Sequence, residues 1–151
     1  METYAFPPEL AKRTSPVTEW LGMRIVSHDP DAKTSRFTFD PAPETRNIAG
    51  DVQGGIVVAM LDDAMGFNAF VSLGMINQQT SIDIQAQFLE PVPLGRVEVE
   101  AKLVKGGRTI VFLEGSLYTS DGTLAARATG TMKVRPFPKG GAGMAAGASP
   151  A

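Results

Sequence analysis

Residues 53–72 carry apolar side chains almost without interruption, in a pattern that predicts a helix buried nearly all round. The only charges in this stretch are the adjacent carboxylates of Asp62 and Asp63, and carboxylates are rarely buried unless they are paired or used. On a helical wheel the small residues fall on one narrow stripe, the large apolar residues cover the opposite face, and Asp63 lies at the border. The stripe comprises Gly55, Ala59, Asp62, Gly66 and Ala69, and the opposite face comprises Ile56, Val57, Met60, Leu61, Phe67 and Val71.

The stripe of small side chains would let another backbone or a ligand approach the helix closely. Asp62 would then lie at a point of close approach, where a carboxylate could act on a bound molecule. The alternative is a helix that only packs on its neighbours, with both aspartates at a solvent-exposed edge. The helical pattern by itself leaves both interpretations open.

Alternation of apolar and polar residues predicts two strands before the long helix and four after it. A short helix at 18–21, ended by Gly22, precedes the first strand, and residues 41–51 form a loop that leads into the long helix. Hairpin turns are predicted at 105–108 and 121–122. An apolar helix and a sheet with one apolar face cover each other, so we predict an α+β fold in which an antiparallel sheet curls around the helix, with the last four strands in a meander. The predicted strands are 23–28, 33–40, 81–89, 96–104, 109–119 and 124–134.

Composition narrows the possible functions. A chain of 151 residues fits one domain, and a net charge of −2 gives no electrostatic reason to expect nucleic acid or a membrane surface as a partner. The absence of cysteine excludes disulfides and thiolate chemistry. The single histidine, His28, cannot build a histidine-rich metal site, so no metal is expected, and a structural role for His28 is favoured over a chemical one.

The ends of the chain differ from its middle. Residues 1–20 are predicted to be a lead-in, 21–135 the folded domain, and 136–151 a disordered low-complexity tail. The N-terminus lacks the basic region of a signal peptide, and the uninterrupted apolar run at 56–61 is too short to span a bilayer. We therefore expect a cytoplasmic protein.

Two motifs stand in this order of elements: N-x-x-G-x-x-Q-G-G at 47–55 and L-D-D-A-M-G at 61–66. Together with Ser81-Ile82-Asp83 at the start of the third strand, they make residues 21–134 resemble the hotdog-fold thioesterases, most of all the PaaI-type acyl-CoA thioesterases. The resemblance implies a hotdog fold and the hydrolysis of an acyl-CoA thioester. It implies no cofactor besides the coenzyme A that is part of the substrate.

The resemblance also assigns roles to particular residues. Asn47 and the backbone N–H of Gly54 would hold the thioester carbonyl. Asp62 would activate or orient water, and Ser81, or its neighbour Thr80, would help to place that water.

Elementary chemistry supports a carbonyl site at the start of the long helix. A helix N-terminus offers unpaired N–H groups and partial positive charge, and Gly54 and Gly55 would let a substrate carbonyl approach them. Gln53 departs from the family, which often has histidine there; glutamine can donate a hydrogen bond to a carbonyl but cannot supply a proton. The alternative is that the Gly-Gly pair only provides the backbone angles of a helix entry and that Asn47 only forms a turn.

Other residues are candidates for contacts with the rest of the substrate. Met65 would line an acyl pocket, although it could equally be plain core. The phosphates of coenzyme A need cationic or N–H partners, for which Lys105, Gly106 and Arg108 are candidates; the alternative is that these residues are simply solvated.

One distance predicts the assembly. Gly54 and Asp62 are eight residues apart on one helix, which is about 12 Å of rise, so they cannot both reach the same thioester carbon from one subunit. A two-fold partner with its helix antiparallel would bring Asp62 of one chain opposite Gly54 of the other, with the helices crossing near Val58 and Ala59. We therefore predict a homodimer, or a dimer of dimers, with active sites shared between subunits.

Two other functions are alternatives to thioester hydrolysis. A hotdog dehydratase normally pairs a histidine with an acid, and this chain has no histidine in the helix segment. A non-catalytic acyl-CoA-binding or regulatory hotdog protein is favoured if Gln53 reflects lost chemistry. Release of free thiol from acyl-CoA distinguishes an enzyme from a binder.

Overall fold

The computed structural model describes residues 15–137, so most of the predicted lead-in and nearly all of the predicted tail lie outside the described residues. Within this range two helices and a short 3-10 turn accompany six strands. The helices are α1 (Pro16–Trp20) and α2 (Gly54–Ser72), and the 3-10 turn is Pro43–Thr45. The strands are β1 (Arg24–Asp29), β2 (Thr34–Phe39), β3 (Asn77–Phe88), β4 (Val97–Gly106), β5 (Ile110–Tyr118) and β6 (Leu124–Pro136).

The six strands form one antiparallel sheet in the order β1-β2-β4-β5-β6-β3. The predicted meander is confirmed for β4, β5 and β6 but is wrong for β3, which pairs with β6 instead of β4. The connection from β3 to β4 passes the start of α2, where the N–H of Val52 donates to the carbonyl of Val92 at 2.8 Å. This crossing carries the chain from one edge of the sheet to its middle and leaves β3 at the edge.

The sheet curls around α2, as the pattern predicted. The inward side chains of β4 are all at most 3% exposed, and those of β2 are fully buried. Two glycines in the sheet let the helix come close, because a Cβ at Gly115 or at Gly130 would lie 3.2 Å from a side-chain carbon of Leu61 or Met65, respectively. The inward residues are Phe37 and Phe39 of β2 and Val97, Val99, Ala101 and Leu103 of β4.

The predicted stripe of small residues faces away from the core over most of its length. Gly55 is exposed, and Ala59, Asp62 and Gly66 are partly exposed. The prediction is wrong for Ala69, which is fully buried, because residues 68–71 at the C-terminal end of α2 are buried on every face. The stripe therefore reaches from the start of α2 to Gly66.

By length and composition alone, α2 is apolar enough to cross a membrane. Its buried face packs against the sheet, which identifies it as the core helix of the fold.

A buried polar network joins β1, β2 and α2. The Nδ1 atom of His28 lies 2.8 Å from the Ser35 hydroxyl, to which the Asn68 side-chain amide donates at 2.8 Å. Asn68 also donates to the carbonyl of Lys33 at 3.1 Å. His28 is 5% exposed, so it is a structural residue, as expected.

We expect this network to make the stability of the fold depend on pH. Burial lowers the pKa of His28, against the opposing charge of Asp29, so the folded protein binds this proton less tightly than the unfolded chain does. The contribution of neutral His28 to the stability of the fold is therefore complete above the unfolded pKa of ~6.5. It is lost as the pH falls through the lowered pKa of the folded protein. We expect the free energy of unfolding, measured with urea at pH 8 and pH 5, to fall less in His28→Gln than in the wild type. An identical pH dependence in both proteins would contradict this role.

Candidate active site

Asp62 and Ser81 meet although 19 positions separate them in the chain. The hydroxyl of Ser81, on the inner face of β3, donates to Oδ1 of Asp62 on α2 at 2.6 Å. Ser81 pairs with Met132 of β6, and a bulge between Ser81 and Asp83 follows directly. The helix and the edge strand thus bring together the two side chains to which the family resemblance assigns the placing of water.

A cavity of about 340 Å³ lies beside this pair, between α2 and the first half of β3. Both aspartates and Ser81 contribute polar atoms to its wall. The remainder combines an apolar part with a polar part at the start of β3. The apolar part includes Met23, Phe67, Phe70, Met132 and Phe137, and the polar part includes Asn77, Gln78 and Gln79.

Asp63 occupies a different environment from its neighbour. The Thr18 hydroxyl, on α1, donates to one carboxylate oxygen of Asp63 at 3.2 Å and lies 2.9 Å from the Ser15 hydroxyl. The other oxygen of Asp63 is buried and has no hydrogen-bond partner among residues 15–137. Burial raises the pKa of Asp63, the Thr18 hydrogen bond opposes this, and the charge of Asp62 adds to the rise. Charge is thus disfavoured at Asp63, and the two aspartates also differ in partner, because Thr18 contacts Asp63 whereas Ser81 contacts Asp62.

The start of α2 is built around Gln53. Its side-chain oxygen accepts a hydrogen bond from the N–H of Ile56 at 3.2 Å, so Gln53 is the N-cap of the helix. A Cβ at Gly55 would lie 2.8 Å from that oxygen, and a Cβ at Gly54 would lie 3.4 Å from the ring of Phe88. The first N–H groups of a helix have no partner within it, so this end offers donors to a carbonyl oxygen. A side chain at either position would fill the space beside these donors, so the two glycines leave room for a carbonyl oxygen to reach them.

Asn47 forms a tight turn before the helix. Its side-chain oxygen accepts hydrogen bonds from the N–H groups of Ala49 and Asp51, at 2.9 and 3.2 Å, and its own N–H donates to the Asp51 carbonyl. The turn interpretation is therefore correct for the oxygen. Only the side-chain amide nitrogen would remain to contact a substrate carbonyl.

Two predicted site residues lie elsewhere. Met65 is fully buried and packs against Gly115 and Gly130 of the sheet, so it belongs to the core and does not line the cavity. Thr80 is exposed and pairs with the exposed Lys133, on the outer face of the sheet. Neighbouring strand residues point to opposite faces, so Ser81, and not Thr80, supplies the hydroxyl beside Asp62.

Lys105, Gly106 and Arg108 are exposed at the β4–β5 hairpin. Gly106 stands in the same cross-strand row as Ser81, three strands away, which is about 14 Å at the usual strand spacing. Both ion pairs in residues 15–137 belong to Arg36, so these two cations have no acidic partner there. Within one subunit this hairpin is therefore remote from Ser81.

The two halves of the predicted site are separate within one chain. The cavity is lined by Asp62 and Ser81 but, among the described residues, by neither Gln53 nor Gly54. This agrees with the spacing of about 12 Å along α2. No group of three acidic or histidine side chains that could hold a metal ion occurs within residues 15–137.

Three cavity residues come from segments that carried no functional signal in the sequence. Ser15 and Thr18 belong to the predicted lead-in and Phe137 to the predicted tail. Ser15 followed by Pro16 is the usual start of a helix, so α1 could be recognised, although its contact with Asp63 could not. No local pattern marks Phe137.

The thioesterase superfamily model matches residues 49–126, which contain the Gly-Gly pair, Asp62 and Ser81. The chain therefore belongs to the thioesterase superfamily, and its sheet and helix form the hotdog fold. Thioester hydrolysis is the chemistry of this class.

Individual relatives agree with this assignment. A candidate thioesterase from Ralstonia eutropha JMP134, a phenylacetic acid degradation-related protein, is 30% identical, covers 80% of this chain and 91% of its own, and superposes with a TM-score of 0.74. The PaaI protein of E. coli shares the fold at 15% identity, with a TM-score of 0.73 over 83% of this chain and 88% of its own. A candidate esterase of Saccharolobus solfataricus is 24% identical over 123 residues, which is 82% of this chain and 86% of the relative.

Proposed function

We propose that this protein hydrolyses acyl-CoA thioesters to a free acid and coenzyme A. The observation that carries the proposal is the hydrogen bond between Ser81 and Asp62 in the wall of a cavity, in a chain of the thioesterase superfamily. A neighbour of the same fold, from Streptococcus mutans, was crystallised bound to acetyl-CoA, which supports a CoA ester as the substrate.

In this mechanism Asp62 accepts a proton from water while the water oxygen bonds to the thioester carbon. Ser81 orients Asp62 through its hydrogen bond and helps to place the water. The oxyanion that forms is held by the N–H of Gly54 at the helix N-terminus, assisted by the side-chain amide of Asn47. Collapse of the tetrahedral intermediate breaks the C–S bond, and the proton held by Asp62 passes to the departing thiolate.

The two halves of the site come from different subunits of a homodimer, alone or within a dimer of dimers. One side of the 12-residue strand β3 has no neighbouring strand in the described chain. Its side chains Ile82 and Phe88 are 55% and 56% exposed, although apolar, which favours burial against a second copy. The partly exposed small residues of α2 would let the two helices cross closely.

Substrate contacts away from the reacting carbon fall to other groups. Gly55, beside the capped helix start, leaves room for the carbonyl, and Lys105, Gly106 and Arg108 contact the phosphates of coenzyme A. The reaction as written needs no cofactor. The place of action is the cytoplasm, and neither nucleic acid nor a membrane is a partner.

The test is thiol release from a panel of acyl-CoA esters, followed with a thiol-reactive dye. We expect turnover of at least one ester with a kcat on the order of 1 s⁻¹ or more, within the range usual for enzymes. Binding of the same esters without release of thiol would contradict the proposal.

That outcome would favour the second candidate, a non-catalytic acyl-CoA-binding hotdog protein. One observation supports this candidate: the side-chain oxygen of Gln53 is used in capping the helix, and glutamine supplies no proton. The two candidates predict the same ligand and differ in turnover alone.

If the protein is a thioesterase, the side chain of Gln53 should contribute one hydrogen bond to turnover. Gln53→Ala removes one neutral hydrogen bond, worth about 0.5–1.5 kcal/mol, so turnover should fall roughly 3- to 10-fold. Gln53→His should retain activity and add a limb to the pH–rate profile near the histidine pKa of ~6.5, which the wild type should lack. A loss of about a hundredfold or more in Gln53→Ala would contradict a role limited to one hydrogen bond.

A further inference from the structure

Among the described residues of one subunit, neither backbone geometry nor packing requires glycine at position 66. It lies inside α2, and its φ is not among the positive values found in the turns. The nearest heavy atom outside the helix to a Cβ placed on Gly66 is the terminal methyl of Met132, at 3.9 Å, which is ordinary contact. At Gly115 and Gly130, by contrast, a Cβ would press on the helix at 3.2 Å.

Glycine inside a helix is also costly. It is less favourable than alanine because the unfolded chain loses more freedom when it is ordered. A residue that weakens the helix without serving backbone geometry or internal packing indicates that the missing side chain matters to something else.

The position of Gly66 indicates what a side chain there would obstruct. It stands one helical turn after Asp62, on the same face, and it lines the 340 Å³ cavity together with Asp62. The wall around it is apolar, with Phe67 and Phe70 on the same helix and Met132 across from it on β6. A side chain at 66 would therefore project into the space directly beside the proposed reacting group.

We propose that Gly66 sets the size of the acyl group that this protein accepts. The proposal rests on the proposed function, because it treats the cavity beside Asp62 as the acyl pocket. The cavity wall near Gly66 consists mostly of apolar side chains, those of Phe67, Phe70 and Met132. The substrate class is thus an uncharged, mostly apolar acyl group whose size is limited at position 66.

The experiment fills the pocket in steps. Gly66→Ala adds one non-hydrogen atom to the cavity wall beside Asp62, and Gly66→Leu adds four. The readout is the ratio of kcat/KM for decanoyl-CoA to that for acetyl-CoA. We expect the ratio to fall at least tenfold in Gly66→Leu, with Gly66→Ala between the leucine variant and the wild type.

Two controls separate pocket size from general damage. Ser72→Ala, on the same helix but outside the lining of the cavity, removes a buried hydroxyl that has no hydrogen-bond partner in the described part of the chain, and it should leave the ratio unchanged. Gly66→Ala should raise the melting temperature by roughly 1–4 °C, because alanine is the better helix former. A narrower substrate range in a more stable protein is not the result of misfolding.

Outcomes against the proposal are distinct from failure of hydrolysis. An unchanged ratio in Gly66→Leu would overturn it, as would a change of sedimentation from dimer to monomer in Gly66→Ala, which would assign the glycine to subunit packing. In the Asp62→Asn background, calorimetry measures the binding affinities of decanoyl-CoA and acetyl-CoA, and their ratio is compared with and without a side chain at position 66. A fall of the ratio there supports the acyl pocket even if the wild type releases no thiol, in which case the proposed hydrolysis alone fails.

Discussion

Asp62→Asn is expected to lower the turnover of acyl-CoA by roughly 10²-fold or more, the usual scale for loss of a general base. The substitution keeps the size of the side chain, and the amide oxygen can still accept the Ser81 hydrogen bond. What it removes is the capacity to take a proton from water. Thiol release at saturating substrate measures the effect, with the melting temperature as a check that the fold is intact.

Asp63→Asn is the matched control, because Asp63 is the next residue and lines the same cavity. Burial raises the pKa of Asp63 and so favours its uncharged form, which asparagine imitates in shape and charge. We expect turnover to fall only a few-fold. Equal losses in the two variants, or a larger loss in Asp63→Asn, would contradict the assignment of Asp62 as the base.

The pH dependence of stability gives Asp63 a signature of its own. The folded protein binds this proton more tightly than the unfolded chain, so the stabilisation is complete below the unfolded pKa of ~3.9 and is lost as the pH rises through the raised pKa. Asp63→Asn removes the titration. The stability of the wild type relative to this variant should therefore decline as the pH rises from 4, which is opposite in sign to the effect of His28.

The central helix could be predicted closely, since all its signals are local. The prediction of 53–72 differs from Gly54–Ser72 by one residue, because Gln53 and the Gly-Gly pair mark the start and the apolar pattern marks the length. The strands with one buried face, β2 and β4, follow equally from alternation. The local sequence pattern was sufficient to predict the position of a single helix or strand.

The errors concern β3 and the order of strands. The first four residues of β3, 77–80, are all polar, so the sequence shows no alternation of apolar and polar residues there. An edge strand that buries little on either face does not need such a pattern. Its pairing with β6 joins segments about 50 residues apart, which no local pattern encodes. The approach of Ser81 to Asp62 was suggested by the family resemblance and not by spacing.

The contacts that form this cavity also join residues far apart in the sequence. Thr18 and Asp63 are 45 positions apart, and their contact depends on where α1 packs. Phe137 reaches the cavity because β6 continues to Pro136, two residues beyond the predicted end of that strand. Burial of Asp63 follows from these contacts, so the sequence pattern could separate the two aspartates only by their angle on the helix.

Ala59→Trp is expected to disrupt the proposed dimer and, on the same sample, to lower thiol release at least tenfold. Ala59 is partly exposed on α2, midway between Gly54 and Asp62, where the partner helix is proposed to cross. A large side chain would hold the helices apart and separate Asp62 of one subunit from Gly54 of the other. Sedimentation velocity and thiol release are measured on the same sample. A monomer that hydrolyses thioesters at the wild-type rate would exclude a shared site.

Mixing two inactive variants tests the shared site without breaking the dimer. Asp62→Asn retains the start of α2, and Gly54→Val, whose added Cβ would lie 3.4 Å from Phe88, retains Asp62. If each site takes one half from each subunit, a mixed dimer contains one site with both halves intact and one with neither. Random exchange makes half of the dimers mixed, so about a quarter of wild-type activity should return after unfolding and refolding the two variants together. Sites contained within single subunits would recover none, because every subunit in the mixture carries a defect.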